Sequence, residues 1–180
     1  MLKHKLYDMV FGKVRMVFMN IYLYCEIAEK QLLHQLDQWW PDYDKSIIID
    51  CIKPAIEKIE IDYSAMPSAR YYCEGKLVFN PLHSLTWMLF LYRLSREIYQ
   101  KFGAVKEADM IYYLNKIMHS IDWFYQVDLP IHFMAEHPLG SVLGKAKYGD
   151  FLFVYQGTTV GGNRRGGALS YPVIGNNVVL

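Results

Sequence analysis

One hundred and eighty residues, 53% of them apolar and 21% charged, suffice for one substantial core or two small ones and exclude a disordered chain. Nineteen Lys and Arg against eighteen Asp and Glu leave a net charge of +1, which excludes a nucleic-acid binder held by bulk positive charge. Three scattered cysteines (Cys25, Cys51, Cys73) exclude a disulfide framework or a paired-cysteine metal site.

Residues 1–20 carry charges throughout, without the pattern of a signal peptide. The uncharged run Leu77 to Tyr92 is broken by Asn80, Pro81 and His83, so it makes a poor bilayer span. A reduced, cytoplasmic chain without membrane insertion is expected. Leu6, Val10, Val14, Val17, Ile21, Ala28 and Leu32 recur on one helical face, and Pro41, after Trp39-Trp40, ends that run. A second apolar stretch with helical spacing, Ser46 to about Ile61, contains Pro54, which either kinks a helix or starts one. For a third, Asn80 can cap, Pro81 fits the first turn, Leu85, Met88, Leu89, Tyr92 and Phe102 follow, and Gly103 stops it. A fourth spans about Val105 to His119. This front part holds no catalytic motif and reads as a helical bundle.

Glycine then changes the material. Only three of twelve glycines precede residue 137, and nine fall in the last 44 residues, among frequent Leu, Ile and Val. The break lies near residues 120–130. Large apolar residues precede glycine at Leu143-Gly144, Tyr148-Gly149, Val160-Gly161 and Ile174-Gly175, at spacings of five, twelve and fourteen. Twelve is two hexads, and the others are near-multiples. Such repeats build parallel β-helices, in which the branched residue points inward onto its equivalent and the small residue permits a tight turn. Residues 163–170, with Arg164, Arg165, Gly166 and Gly167, are expected as an external loop between coils.

Three segments of this tail resemble the hexapeptide-repeat acyltransferases, most closely the serine acetyltransferases. His137-Pro-Leu-Gly140-Ser-Val-Leu-Gly144 is similar to the segment around that family's catalytic histidine. Tyr155-Gln-Gly-Thr-Thr-Val-Gly161-Gly162 resembles its Tyr-Gln-Gly-Val-Thr-Leu-Gly-Gly segment, and Tyr171-Pro-Val-Ile-Gly175-Asn-Asn-Val178 its His-Pro-x-Ile-Gly-Asp-Asn-Val segment. The resemblance covers about fifty residues. It implies an α+β fold: a helical N-terminal domain over 1–122, then the start of a left-handed parallel β-helix over 123–180. It further implies acetyl transfer from acetyl-CoA to a hydroxyl-bearing small molecule, without a metal. The assembly would be a homotrimer or a dimer of trimers, with active sites between subunits.

By that resemblance His137 is the general base, a role that suits an imidazole titrating near neutral pH. Asp128, in Gln126-Val127-Asp128, resembles the aspartate that orients the histidine, although nine residues separate the two here and the family's separation is longer by about one hexad. Glu136 is the other candidate orienter, in the place of an acidic residue that contacts the acceptor's amine. His132 reads as structural, and with His137 it makes no metal site for want of a third ligand. Gly161, Gly162 and Asn163 would line the donor groove, and Lys145, Lys147 and Arg164 would meet phosphates. Tyr171 and Arg165 are the acceptor candidates.

In the serine enzymes an Arg-His pair precedes the proline of the third segment and helps hold the acceptor's carboxylate; this chain has Ser170-Tyr171. A sugar or nucleotide-sugar hydroxyl, which needs no such clamp, is therefore a second acceptor class. A non-catalytic trimerising or binding module is a reading of another kind. Val178-Val179-Leu180 falls inside a further hexad, so either the repeat is expected to continue or a partner is expected to cover this end.

Overall fold

The computed structural model describes residues 21–65, 71–73 and 76–180. The expected apolar positions at 6, 10, 14 and 17 lie outside these. Four helices come first: α1 (Ile21–Asp37), α2 (Lys45–Ser64), α3 (Ser84–Phe102) and α4 (Lys106–His119). Ala28, Leu32 and Leu36 form the buried face of α1, as the spacing predicts. Asp44 caps α2 by accepting from the Ser46 N–H at 2.9 Å. Pro54 sits inside α2, which excludes a helix that begins there. Asn80 does cap, but a preceding turn, through the Leu82 N–H; α3 starts later, at Ser84, with His83 as its cap residue. Twelve residues of α3 are buried, which marks it as the central helix. It stops where predicted, at Gly103 with φ +82°. Between α2 and α3 lies a short antiparallel hairpin, β1 (Tyr72–Cys73) and β2 (Lys76–Leu77), which the periodicity does not announce.

After Ser120 the chain turns into short strands: β3 (Asp122–Trp123), β4 (Phe133–Ala135), β5 (Val142–Leu143), β6 (Lys147–Tyr148), β7 (Leu152–Val154), β8 (Thr159–Val160), β9 (Asn163–Arg165), β10 (Ala168–Ser170) and β11 (Val173–Ile174). Each of the four apolar–glycine pairs marks the end of a strand: β5, β6, β8 and β11. Strands pair in parallel in three stacks, β3-β5-β8, β4-β7 and β6-β11. In register, Asp122 faces Val142 and Val142 faces Thr159, while Phe133 faces Leu152. Partners therefore lie seventeen to twenty residues apart, close to three hexads per coil. Lys147 faces Val173 and Phe153 bridges to Val179, both 26 residues on. The eight residues of the β9-β10 hairpin account for that excess, and Gly166 and Gly167 turn it at φ +60° and +87°. The expected loop is an ordered, exposed hairpin.

Close approach between coils explains two glycines. A Cβ on Gly149 would lie 2.3 Å from the Gly175 carbonyl carbon, and one on Gly144 would lie 2.8 Å from the Val160 oxygen. Inside the coils, Trp123, Phe133, Leu143, Leu152, Val154 and Val160 are buried, and the Trp123 indole N–H donates to Ser141 Oγ at 2.9 Å. This apolar interior is continuous with that of the helices.

The seam is polar as well as apolar. Asp62 of α2, fully buried, accepts from Arg93 Nε (2.9 Å) and Nη2 (2.5 Å) of α3 and from the Phe133 N–H (3.0 Å) that begins β4. Arg93 Nη2 also donates to the Pro130 carbonyl at 2.8 Å. Tyr92 donates to the Val127 carbonyl at 2.7 Å and accepts from the Leu129 N–H. Among the described residues, no helix is long and apolar enough to cross a membrane.

Candidate active site

His137 occupies a tight turn between β4 and β5. Its φ is +49°, a left-handed conformation that non-glycine residues adopt at a cost of order 1 kcal/mol. Surrounding hydrogen bonds hold it there. The Glu136 N–H donates to the Val154 carbonyl, and the Leu139 N–H to that of His137 itself. The Gly140 N–H, at φ +73°, donates at 2.8 Å to the carbonyl of Ser120, the C-cap of α4. The Gly157 N–H donates to the Leu139 carbonyl. The turn is thus bound to the next coil on one side and to the end of the helices on the other.

His137 and Glu136 are exposed and open into a cleft of about 280 Å³. Its other walls are Tyr71, the first turn of α3 (His83, Ser84, Leu85, Met88), the end of α4 (Met118, His119) and Pro138-Leu139. The Tyr155 hydroxyl stands 3.5 Å from Glu136 Oε2. Asn115 donates its amide to the Met88 carbonyl at 3.0 Å, which turns its Oδ1 toward His119 Nδ1 at 2.8 Å. That arrangement puts the His119 proton on Nδ1 and leaves Nε2 as an acceptor. Burial pushes the His119 pKa down to about 4, so this imidazole is neutral at physiological pH.

Asp128 is not brought to His137. Its exposed carboxylate is bonded to Arg96 Nη2 at 2.5 Å, and it lines a different cleft with Arg93 and Arg96. Counting one hexad further back from Asp128 reaches Asp122, fifteen residues before His137. That carboxylate lies on β3, directly beside Val142 of the coil that carries the histidine turn. It accepts from Tyr112 (2.5 Å) and Lys116 (2.6 Å) of α4, and those bonds hold its pKa below the usual carboxylate range against the raising effect of burial. It is not among the residues singled out from the sequence; a hexad counted back from Asp128 is the signal that reaches it. No hydrogen bond to the His137 imidazole is present among the described residues.

His132 does have a carboxylate. Its Nδ1 lies 2.7 Å from Asp150 Oδ2, its N–H donates to Asp150 Oδ1, and its ring stacks on Phe151 at 4.4 Å. These contacts tie one coil corner to the next, in keeping with a structural role.

The remaining candidates gather at the last coil. The Lys145 ammonium sits 4.8 Å above the centre of the Tyr171 ring, and that ring packs against Gly162, where a Cβ would meet Tyr171 Cε1 at 3.1 Å. Gly161 borders open space, while Asn163, Arg164 and Arg165 lie on β9 of the exposed hairpin. Among the described residues no cluster of His, Cys, Asp and Glu could hold a metal ion.

No family model matches the chain. The serine acetyltransferase of Bacillus pumilus is 25% identical over 133 residues, which cover 69% of this chain and 55% of that protein. That of Bacillus subtilis is 23% identical over the same shares. The chain spans about half the length of these curated relatives. Among solved structures, the Neisseria gonorrhoeae serine acetyltransferase in complex with serine superposes with a TM-score of 0.60 at 19% identity, over 88% of this chain and 65% of that one. Isoform 3 from Entamoeba histolytica, in complex with cysteine, gives 0.53 at 18%, over 89% and 56%. The chain resembles serine acetyltransferases in sequence and shares the arrangement of helices followed by short strands with them.

Proposed function

We propose that the chain carries the helical domain and stacked coils of an acetyl-CoA-dependent O-acetyltransferase. The observation that carries this reading is His137: an exposed imidazole on a hydrogen-bonded left-handed turn at the mouth of a cleft, in the segment that resembles the family's catalytic one. A base in that place removes the proton of an acceptor hydroxyl. Acetyl-CoA, when bound, supplies a thioester carbon to which the acceptor oxygen bonds as the C–S bond breaks, and the proton passes to the departing sulfur. Glu136, beside the histidine, meets the acceptor or orients the imidazole. Gly161, whose open surface admits a thin amide-bearing chain, lines the donor groove with Gly162 and Asn163. Lys145 and Arg164 offer charges for phosphates, and Tyr171 and Arg165 are the candidates for contact with the acceptor.

The reading includes a left-handed coil starting at residue 123 after a helical domain over 1–122, and a trimeric assembly. Three parallel stacks with about eighteen residues per coil support the coil. The test is thiol release from acetyl-CoA by wild type and His137→Ala. Loss of the base is expected to lower kcat about 10²–10⁴-fold while coenzyme binding, measured by calorimetry, stays. Equal rates in the two proteins would remove His137 from the chemistry.

A further inference from the structure

The cleft that takes Asp128 holds cations for which acetyl transfer has no use. It encloses about 290 Å³ between α2, α3 and the segment that joins β3 to β4. Arg93, Arg96 and Gln100 follow one another at three and four residues along α3, so a single helix face presents all three. Lys58 of α2 completes the polar wall.

The two arginines are paired in different ways. Arg93 and Asp62 are both out of water, with side chains 5% and 0% exposed, as befits a pair that holds a fold together. The Arg96 side chain is 12% exposed, whereas that of its partner Asp128 is 80% exposed. A largely desolvated guanidinium is therefore satisfied by a carboxylate that stays in solvent. Only one oxygen of Asp128 is engaged, on Arg96 Nη2, while Nη1 donates to the Tyr125 carbonyl at 3.0 Å. A pair with so exposed a partner contributes little to stability, so another anion displaces it at small cost.

Arg93 adds a second donor. Its Nε and Nη2 are taken by Asp62 and the Pro130 carbonyl, but its Nη1 has no hydrogen bond among the described residues. A buried guanidinium N–H in that state calls for an acceptor. The charges agree: Glu97 answers Lys58 at 2.5 Å and Asp62 answers Arg93, so the cleft gains one uncompensated positive charge whenever Asp128 turns away from Arg96. The remaining wall is aliphatic, with Ile61 and Ile131 37% and 54% exposed. Forked donors beside branched aliphatic surface match one oxyanion on a short apolar body, and the volume admits one small molecule.

We infer that this cleft binds a small organic anion, a carboxylate or phosphate group on a short apolar body, whose oxygens take the place of Asp128 on Arg96 and accept from Arg93 Nη1. Asp128 is the site's built-in occupant. The inference does not rest on the acetyl-transfer reading, and its test needs no acetyl-CoA.

Calorimetry on the full chain measures benzoate against acetate and phenyl phosphate against inorganic phosphate, all at one ionic strength set with chloride. At least one aromatic compound is expected to bind a single site with a Kd of about 1 mM or tighter. It should exceed its bare head group about threefold or more, through the apolar area it buries. The two arms tell which head group the site takes. Arg96→Gln is expected to weaken that binding about tenfold or more, as loss of a charge-assisted bond does. Asp128→Asn, a change at an exposed side chain, is expected to tighten it about two- to fivefold by removing the competitor. Absence of saturable binding by both aromatic compounds overturns the inference, as does unchanged affinity in a folded Arg96→Gln. Unchanged or weaker affinity in Asp128→Asn overturns it equally, and that variant decides alone if circular dichroism shows Arg96→Gln unfolded.

Discussion

Asp62→Ala removes the carboxylate that joins α2, α3 and the start of β4, and its cost follows from what remains. Arg93 is 4% exposed and would keep one bond, to the Pro130 carbonyl, for a full charge. Breaking a buried pair from one side costs about 3–5 kcal/mol, because a charge is left uncompensated out of water. The Phe133 N–H loses its acceptor too, and an unsatisfied buried amide costs about 1–3 kcal/mol more if water does not reach it. Against a total stability of about 5–15 kcal/mol, the single variant sits at the margin of folding. The double variant Asp62→Leu/Arg93→Met removes both charges at similar volume and is expected to recover several kcal/mol of that loss. Urea unfolding read by far-ultraviolet circular dichroism and by the buried Trp87 and Trp123 measures both. A loss below about 1 kcal/mol for Asp62→Ala, or a double variant as unstable as the single one, would refute the reasoning.

Two further expectations concern glycines and one pH. Gly149→Ala forces a Cβ to 2.3 Å from the next coil's backbone and is expected to lower stability by about 1–3 kcal/mol or more, seen as a lower Tm. Gly161→Ala meets nothing within 4 Å, so its Tm should match wild type while its KM for acetyl-CoA rises, and an unchanged KM would take Gly161 out of the donor groove. His119 titrates near 4 when folded and near 6.5 when unfolded, so between those values the unfolded chain binds the extra proton. Its contribution is complete above the unfolded value and declines as pH falls toward 4, by up to about 3 kcal/mol. Urea midpoints for wild type and His119→Asn at pH 7.5 and 4.5 check this, the variant losing less on acidification.

The four helices were legible because their apolar spacing is regular and Gly103 ends α3 without ambiguity. Pro54 was not decisive, since a missing N–H inside α2 is outweighed by a helix face carrying Ile48, Ile52, Ala55, Ile56 and Ile59 into the core. The start of α3 was read too early because Asn80-Pro81 is equally good turn chemistry, and a turn is what it makes. In the tail, apolar–glycine pairs located four strand ends. They missed β3, β4 and β7, whose following residues, Phe124, Glu136 and Tyr155, are not glycine. The β1-β2 hairpin has two-residue strands, too short for any period to register. His137 and Glu136 stood out through their motif and share one cleft. His119, on the same cleft wall, carried no motif at all: only packing brings the end of α4 to the histidine turn. Asp128 drew attention by its neighbours Gln126 and Val127, and in the fold it pairs with Arg96 on another cleft.

The bond from Gly140 to the carbonyl of Ser120 fastens the histidine's turn to the last residue of the helical bundle, and the apolar interior passes under that point without interruption. The buried residues of the helices and of the coils form one cluster across that place. Cut there, each fragment would present a raw oily face to water, and the strands would lose the anchor that keeps the imidazole aimed. The cleft beside His137 takes part of its wall from α3 and α4, so under the proposed reading changes in acceptor preference should be sought there as much as in the coils themselves.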